Sequence, residues 1–311
     1  MKALELSDRE KITALFRQYP PVISEHTFTN LFVWRHMRPL DFFEIEGSII
    51  FTVKSASRVL PGRIIFGPPL GDLEIRDALS CFDGPVTGAI RLPAGGREDF
   101  YYAAAVEEDR DNADYVYLVE DLATLAGRRF AKKRNHIKGC LNNYSCRYEP
   151  ITAANIAQCK ELAHRWCVQR QCHHEPGLCG EYQALNDCLD YFAELDLLGG
   201  AVLINGQVEA IAIAEELRPE MAVWHFEKAN PAIPGLGQLI NKWFAEFGLQ
   251  DFKYVNREQD LGVPGLRQAK ESYYPDHLVE KKNILLHPQA SFPLKAATKV
   301  CDLVFPMADM L

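Results

Sequence analysis

Two short polar runs hold the side chains of this sequence best suited to chemistry: His225-Phe226-Glu227-Lys228-Ala229-Asn230 and Asn256-Arg257-Glu258-Gln259-Asp260. Imidazole and carboxylate groups can take a proton from a nucleophile, so His225 and Glu227 are the candidate bases. Neighbouring carboxylates such as Glu258 and Asp260 compensate a buried cation, while Arg267 and Lys270, three apart on one helical face, suit a phosphate or a carboxylate. Each run also has a plainer reading. Arg257, Glu258 and Asp260 could close a sheet as an ion network, and a single His on a mostly apolar strand is often a satisfied core residue.

Both runs end stretches with strand character, over 222–229 and 252–256. Strict alternation puts Val223, His225 and Glu227 on one face of the first strand and Trp224, Phe226 and Lys228 on the other. In the second, Tyr254, Asn256 and Glu258 oppose Val255 and Arg257. Strands that splay at their C-terminal ends would hold these side chains around a cleft, as in open α/β sheets.

The surrounding elements follow in order. A strand over 147–150 precedes helices over about 153–170 and 181–195, then a hairpin whose Asn205-Gly206 turn accepts the positive φ angles of type I′. After the 222–229 strand, a loop over 230–237 opens a helix reaching about residue 249; a strand, a short helix over 265–274 and a last strand over 277–285 complete the half. Gly235 and Gly237 let the loop backbone approach a ligand closely, and the helix start could hold a donor's phosphates; ordinary turn chemistry is the alternative. The first part is mixed α and β. Ser7 and Glu10 are placed as a capping box, helices are expected near 8–19, 29–37 and 74–82, and strands over 42–46, 49–53, 63–66 and 86–92. No motif there carries assignable chemistry. After a strand over 115–119, a helical stretch beginning at Asp121 holds the densest basic run, Arg128, Arg129, Lys132, Lys133, Arg134, His136 and Lys138. It is either a solvated helix face or a phosphate-binding surface, with Lys133 and Arg134 at its centre.

Length and composition set the bounds. A chain of 311 residues with 48 % hydrophobic content makes about two domains, each with its own core. The expected division is 1–140, 141–290 and a tail over 291–311. A net charge of 34 − 42 = −8 argues against DNA as a general partner and confines any polyanion site to a local patch. No apolar run is long enough to cross a bilayer, and the N-terminus has no signal-peptide pattern, so the expected location is the cytoplasm with all nine cysteines reduced. Cys159, Cys167, Cys172, His173, His174, Cys179 and Cys188 fit no ligand template for zinc, and buried thiols are the better reading. No metal site is expected.

The resemblance to a known family rests on particular motifs. Glu120-Asp121-Leu122, Gly127, Lys133-Arg134-Asn135-His136, His225-Phe226-Glu227-Lys228-Ala229-Asn230, Ile240-Asn241, Asn256 through Gly262 and Pro264-Gly265-Leu266-Arg267-Gln268-Ala269-Lys270 occur in one order. In these the chain resembles the phosphatidylglycerol lysyltransferase C-terminal domain family over about residues 4–286. The element order likewise resembles the Gcn5-related N-acyltransferase core. The resemblance implies an α/β (α+β) fold of two tandem acyltransferase-like units, each a mixed sheet flanked by helices, the second holding the more complete site. The best-known members carry a many-helix membrane part that this sequence lacks, so a stand-alone member is implied.

On that resemblance the expected activity is acyl or aminoacyl transfer from charged tRNA to an unidentified hydroxyl or amine, on a small or lipid-like acceptor. Glu258 and Asp260 would then hold the donor's ammonium, Asn256, Arg257, Arg267 and Lys270 the rest of the substrate, and Gly235, Gly237, Lys133 and Arg134 the donor phosphates. His225 or Glu227 would be the base, with a backbone NH of 227–230 as oxyanion donor, and Glu258 counts with them as catalytic, its replacement by Gln expected to abolish turnover. No cofactor is required. The rival readings are an acetyl-CoA-dependent N-acetyltransferase and a non-catalytic module that binds amino-acid-like ligands.

Overall fold

Alternating apolar residues in the first hundred positions build five strands of a seven-stranded mixed sheet. The computed structural model describes residues 2–55, 62–81, 86–95, 103–171 and 176–286. They fall into two compact units: unit 1 is Met1–Ala113, Glu175–Gly180 and Val279–Leu311, and unit 2 is Asp114–His174 and Glu181–Leu278.

Unit 1 runs β1 (Lys2–Ala3), α1 (Arg9–Gln18), α2 (Phe28–Val33), β2 (Leu40–Ile45), β3 (Ser48–Lys54), β4 (Arg63–Phe66), α3 (Ile75–Ser80), β5 (Val86–Pro93) and β6 (Ala103–Glu108). Its sheet order is β1-β2-β3-β4-β5-β14-β6, where β14 (Lys281–Leu286) arrives from the far end of the chain. Only β4 and β5 pair in parallel among its registered neighbours. The capping box forms two residues earlier than expected. Glu5 and Asp8 exchange side-chain bonds with each other's backbone NH ahead of α1, so Ser7 and Glu10 do not make it. Thr27 Oγ1 accepts from Asn30 N at 3.0 Å and caps α2.

Unit 2 runs β7 (Asp114–Leu118), α4 (Val119–Thr124), α5 (Ala131–Asn143), β8 (Cys146–Pro150), α6 (Ile156–Gln169), α7 (Pro176–Asp190), β9 (Leu198–Ile204), β10 (Gln207–Arg218), β11 (Met221–Ala229), α8 (Leu236–Phe247), β12 (Tyr254–Asn256), α9 (Pro264–Glu271) and β13 (His277–Val279). The sheet order is β13-β7-β12-β11-β10-β9-β8. Asn205 and Gly206 both have positive φ, 53° and 80°, as the type I′ turn between β9 and β10 requires. The basic stretch is not one helix. Leu125 at φ 49° and Gly127 at φ 83° break it into α4 and α5. Because β7 pairs with β12 and α5 packs on α8, the first basic helix belongs to unit 2. The single expected last strand is two: β13 neighbours β7, whereas β14 pairs with β5 and β6.

The unit 2 core gathers where α8 crosses the sheet. Leu236, Leu239, Ile240, Phe244 and Ala245 recur at helical spacing and are wholly buried. Phe244 meets Trp224 edge-on at 4.8 Å between ring centroids. Burying each large side chain is worth roughly 1.5–3 kcal/mol. One polar residue, Asn241, sits on that buried face, and it leads directly to the site.

Candidate active site

The parallel strands β11 and β12 pair only from Met221↔Tyr254 to Val223↔Asn256. Beyond that point β11 continues to Ala229 while β12 ends, so the residues after Val223 and Asn256 stand where the two strands part. The first of them is out of phase. In the β10–β11 ladder Ile213 pairs with Phe226 and Ala214 with Trp224, leaving His225 as the extra residue of a β-bulge. Alternation therefore breaks at His225, and the expectation that His225 and Glu227 share a face is corrected. Glu227 joins the face of Trp224 and reaches α8, while Lys228 turns to Glu181 of α7 and the Trp166 ring of α6.

On the α8 face a polar cluster surrounds Arg257. Glu227 Oε2 accepts from Arg257 Nη2 at 2.8 Å and from Asn241 Nδ2 at 3.1 Å. The guanidinium carbon lies 4.7, 5.3 and 5.6 Å from the ring centroids of Trp224, Tyr273 and Tyr117, an aromatic cage for a cation. Lys133 of α5 enters the same cluster, its Nζ 3.7 Å from the Tyr273 ring centroid and 2.6 Å from Ser272 Oγ. Burial and the Arg257 charge bring the Lys133 pKa down to about 8. Among the described residues, Arg257 Nη1 and Asn241 Oδ1 are buried with no hydrogen-bond partner.

The opposite face holds a chain of Glu, His and Glu. His225 Nδ1 lies 2.8 Å from Glu258 Oε1, and Nε2 lies 2.8 Å from Glu215 Oε1. Burial of the ring lowers its pKa, but the hydrogen bonds and charges of Glu215 and Glu258 outweigh that and raise it to about 9. The ring is thus an imidazolium at neutral pH with both nitrogens engaged. It has no lone pair with which to take a proton, which leaves Glu227 as the base candidate.

Several other expected ligand residues are engaged within the fold. Asp260 accepts from Arg267 Nε and Nη2 at 2.8 and 2.9 Å, from Tyr115 Oη at 2.6 Å and from Gly262 N at 2.8 Å. Burial acts to raise its pKa, yet these donors hold it at about 2. Lys270 is half-buried and donates to the carbonyls of Arg257 and Glu258; burial first, then Arg257, lowers its pKa to about 8. Asn256 Nδ2 donates to Asp114 at 3.0 Å, and its Oδ1 accepts from Glu258 N at 2.8 Å. These bonds secure the turn in which Glu258 has a left-handed φ of 57°. The turn sends Arg257 to one face and Glu258 to the other.

The loop glycines differ from each other. At Gly235, φ is 84° and an added Cβ would lie 2.2 Å from the His136 carbonyl oxygen, so its glycine is required by the approach of α5. A Cβ at Gly237 would meet nothing within 4 Å. Arg134 Nη1 caps the carbonyls of Leu125 and Gly127. Cys159, Cys167 and Cys188 are buried free thiols, and burial raises Cys159 to about 12. Cys172, His173 and His174 lie outside the described residues, as does the tail beyond 286. Among the described residues no three His, Cys, Asp or Glu converge as metal ligands.

Sequence reasoning missed Glu215, hidden in an apolar strand, the aromatic cage, and a buried ion network in unit 1. There Lys281 Nζ lies 2.6 Å from Glu25, which also meets Arg91 at 3.2 Å, and Arg91 pairs with Asp109. A signal existed: Ser24-Glu25-His26-Thr27 is a polar run directly before an apolar helix.

A family model for the C-terminal part of phosphatidylglycerol lysyltransferase matches residues 16–282. The chain belongs to that family. A conserved protein of unknown function from Bacteroides thetaiotaomicron is 32 % identical, with a TM-score of 0.81 over 92 % of this chain and 99 % of its own. L-PGS from Bacillus licheniformis shares the fold at 11 % identity, TM-score 0.65, over 97 % of both chains. FemX does so at 8 % identity, TM-score 0.54, over 92 % of this chain and 98 % of its own. No curated protein matches this sequence. The two mixed sheets flanked by helices are the tandem acyltransferase-like architecture expected of the family. Among the described residues no helix is long and apolar enough to cross a membrane.

Proposed function

We propose that this chain transfers an aminoacyl group from a charged tRNA to a hydroxyl or amine acceptor at the parting of β11 and β12. The observation that carries the reading is the Glu227 carboxylate, held at one oxygen by Arg257 and Asn241 beside Lys133. Oε2 takes both bonds, and Oε1 remains to accept the acceptor's proton. The deprotonated oxygen or nitrogen attacks the ester carbonyl, and the oxyanion is stabilised by the adjacent cations Arg257 and Lys133 and by an NH of the 227–230 backbone. Collapse expels the terminal ribose hydroxyl of the tRNA, which recovers the proton from Glu227. No covalent enzyme intermediate and no cofactor are needed. L-PGS and FemX, similar in fold, support this reading of the donor.

His225, Glu215 and Glu258 act as positioning residues, because the imidazolium binds the turn that aims Arg257. The test is a panel of radiolabelled aminoacyl-tRNAs incubated with the chain and a cell extract. Label should leave one tRNA for a new product, and Glu227→Gln should stop it. Stabilisation by acetyl-CoA together with acetyl transfer, and no loss of label from any tRNA, would replace this reading.

A further inference from the structure

Two polar atoms beside Glu227 are left over once the cluster has made its bonds. Arg257 Nη2 and Asn241 Nδ2 both donate to Glu227 Oε2. A carboxylate only accepts, so the Asn241 amide turns its nitrogen to Glu227, and the atom left over is the acceptor Oδ1. On Arg257 the atom left over is the donor Nη1. Asn241 is 1 % exposed, on the face of α8 that packs the core. A buried polar atom without a bond is unfavourable, and a donor and an acceptor orphaned on either side of one carboxylate mark a place for a ligand group. Access is from Glu227, whose side chain is 26 % exposed against 14 % for Arg257.

Three constraints define the group that fits. It must donate both to Asn241 Oδ1 and to the remaining Glu227 oxygen; a hydroxyl has one proton to give, and a protonated amine has three. It must also accept from Arg257 Nη1. Finally, it is not a bare cation, because Arg257 and Lys133 already stand two to one against Glu227. Their crowding shows in the Lys133 pKa, lowered to about 8 by burial and then by Arg257. An ammonium entering here has to bring its own anion. Glu258 and Asp260, the carboxylates the sequence offers to an ammonium, are held instead by His225 and Arg267.

We propose that the acceptor is a free α-amino acid, bound as a zwitterion with its ammonium between Glu227 Oε1 and Asn241 Oδ1 and its carboxylate at Arg257 Nη1 beside Lys133. The inference rests on the aminoacyl transfer proposed above and names the acceptor class. The ammonium gives one proton to Glu227, and the amine nitrogen attacks the ester carbonyl. A C–N bond forms, and the C–O bond to the ribose breaks as Glu227 returns that proton to the ribose oxygen. The extra proton on the new amide nitrogen passes to Glu227 and then to water, so the product is a dipeptide. The donor amino acid does not compete for this subsite, because its carboxyl is esterified and brings Arg257 no charge.

The experiment is differential scanning fluorimetry of the full chain with each standard L-amino acid in turn, then with the amide and the 2-hydroxy acid of whichever stabilises it. The amide has lost the carboxylate charge and the hydroxy acid the ammonium, and each should bind about tenfold or more weakly than the amino acid. Asn241→Leu should bring the amino acid and its hydroxy acid to equal affinity, whereas Asn241→Asp, which keeps an oxygen at that position, should retain the preference. With charged tRNA and the same amino acid, label should move into a product stable to mild alkali, as an amide is and an ester is not. No stabilisation by any amino acid, amide or hydroxy acid binding as well as the amino acid, or an undiminished preference in folded Asn241→Leu would overturn the subsite. The wild-type analogue series decides even where a variant fails to fold. Zwitterion binding with the full preference but no loss of label from any tRNA would leave the subsite and remove the transfer. Transfer into an alkali-labile product with no amino-acid binding would do the reverse.

Discussion

Replacing His225 with Gln isolates the buried Glu-His-Glu chain. Raising the imidazole from its ordinary 6.5 to about 9 means the folded state binds the proton more tightly by roughly 3 kcal/mol. A raised histidine contributes this in full below pH 6.5, and the contribution is lost as pH rises through 9. Lys270 works against it in part of that range. Its pKa falls from 10.5 to about 8, so the folded state releases that proton first and gains stability of similar size between about pH 8 and 10.5. The wild-type profile alone therefore understates the histidine, and the difference between wild type and His225→Gln recovers it. That difference should shrink by roughly 3 kcal/mol from pH 6 to pH 9.5. Urea titrations in a Trp34→Phe background follow unit 2, since Trp166, Trp224 and Trp243 all lie there; the two units need not unfold together. A difference that does not change with pH, or a folded-state His225 pKa below 7 by NMR, would refute the clamp.

Glu227→Gln should lower aminoacyl transfer by about 10²–10⁴-fold with unchanged far-UV circular dichroism, the loss associated with a general base; activity within a factor of two would return the role to another group. Gly235→Ala, which meets the His136 carbonyl at positive φ, should destabilise by roughly 1–3 kcal/mol, whereas Gly139→Ala in open space should stabilise by about 0.5–1 kcal/mol; denaturant midpoints moving in the same direction would contradict the packing of α5 on the loop. Asp260, held at about 2 by Arg267 and Tyr115, contributes stability above pH 3.8 that is lost as pH falls through 2. Asp260→Asn should flatten the acid limb of the unfolding curve, and an unaltered limb would show that the pair carries no linkage.

Much of unit 2 is legible in the sequence because its signals are local. Asn205-Gly206 dictates a turn, and the apolar spacing of Leu236 to Ala245 dictates which side of α8 is buried. The site is less legible because its decisive features belong to pairs of elements. The bulge at His225 depends on how β10 is registered, and nothing in β11 alone announces it. Lys270 reads as a solvent-facing helix cation, yet it is half-buried and its ammonium is tied to carbonyls of a turn far from any periodic signal. The sequence places Arg267 and Asp260 against different groups of the substrate, whereas in the fold they bind each other. Unit 1 lost a strand to the same cause, since β14 lies far along the chain from β5 and β6.

The extra residue in β11 also governs how distant relatives should be compared. Upstream of it even-numbered side chains face α8, and downstream odd-numbered ones do. A one-position gap placed between Trp224 and Glu227 would match Lys228 to a carboxylate and set an ammonium against the Arg257 guanidinium. At 8–11 % identity such gaps are easily misplaced. Aligning homologues on the three-dimensional course of this strand, with the ladder to β10 as the ruler, keeps the acid-base partner from being assigned to its neighbour.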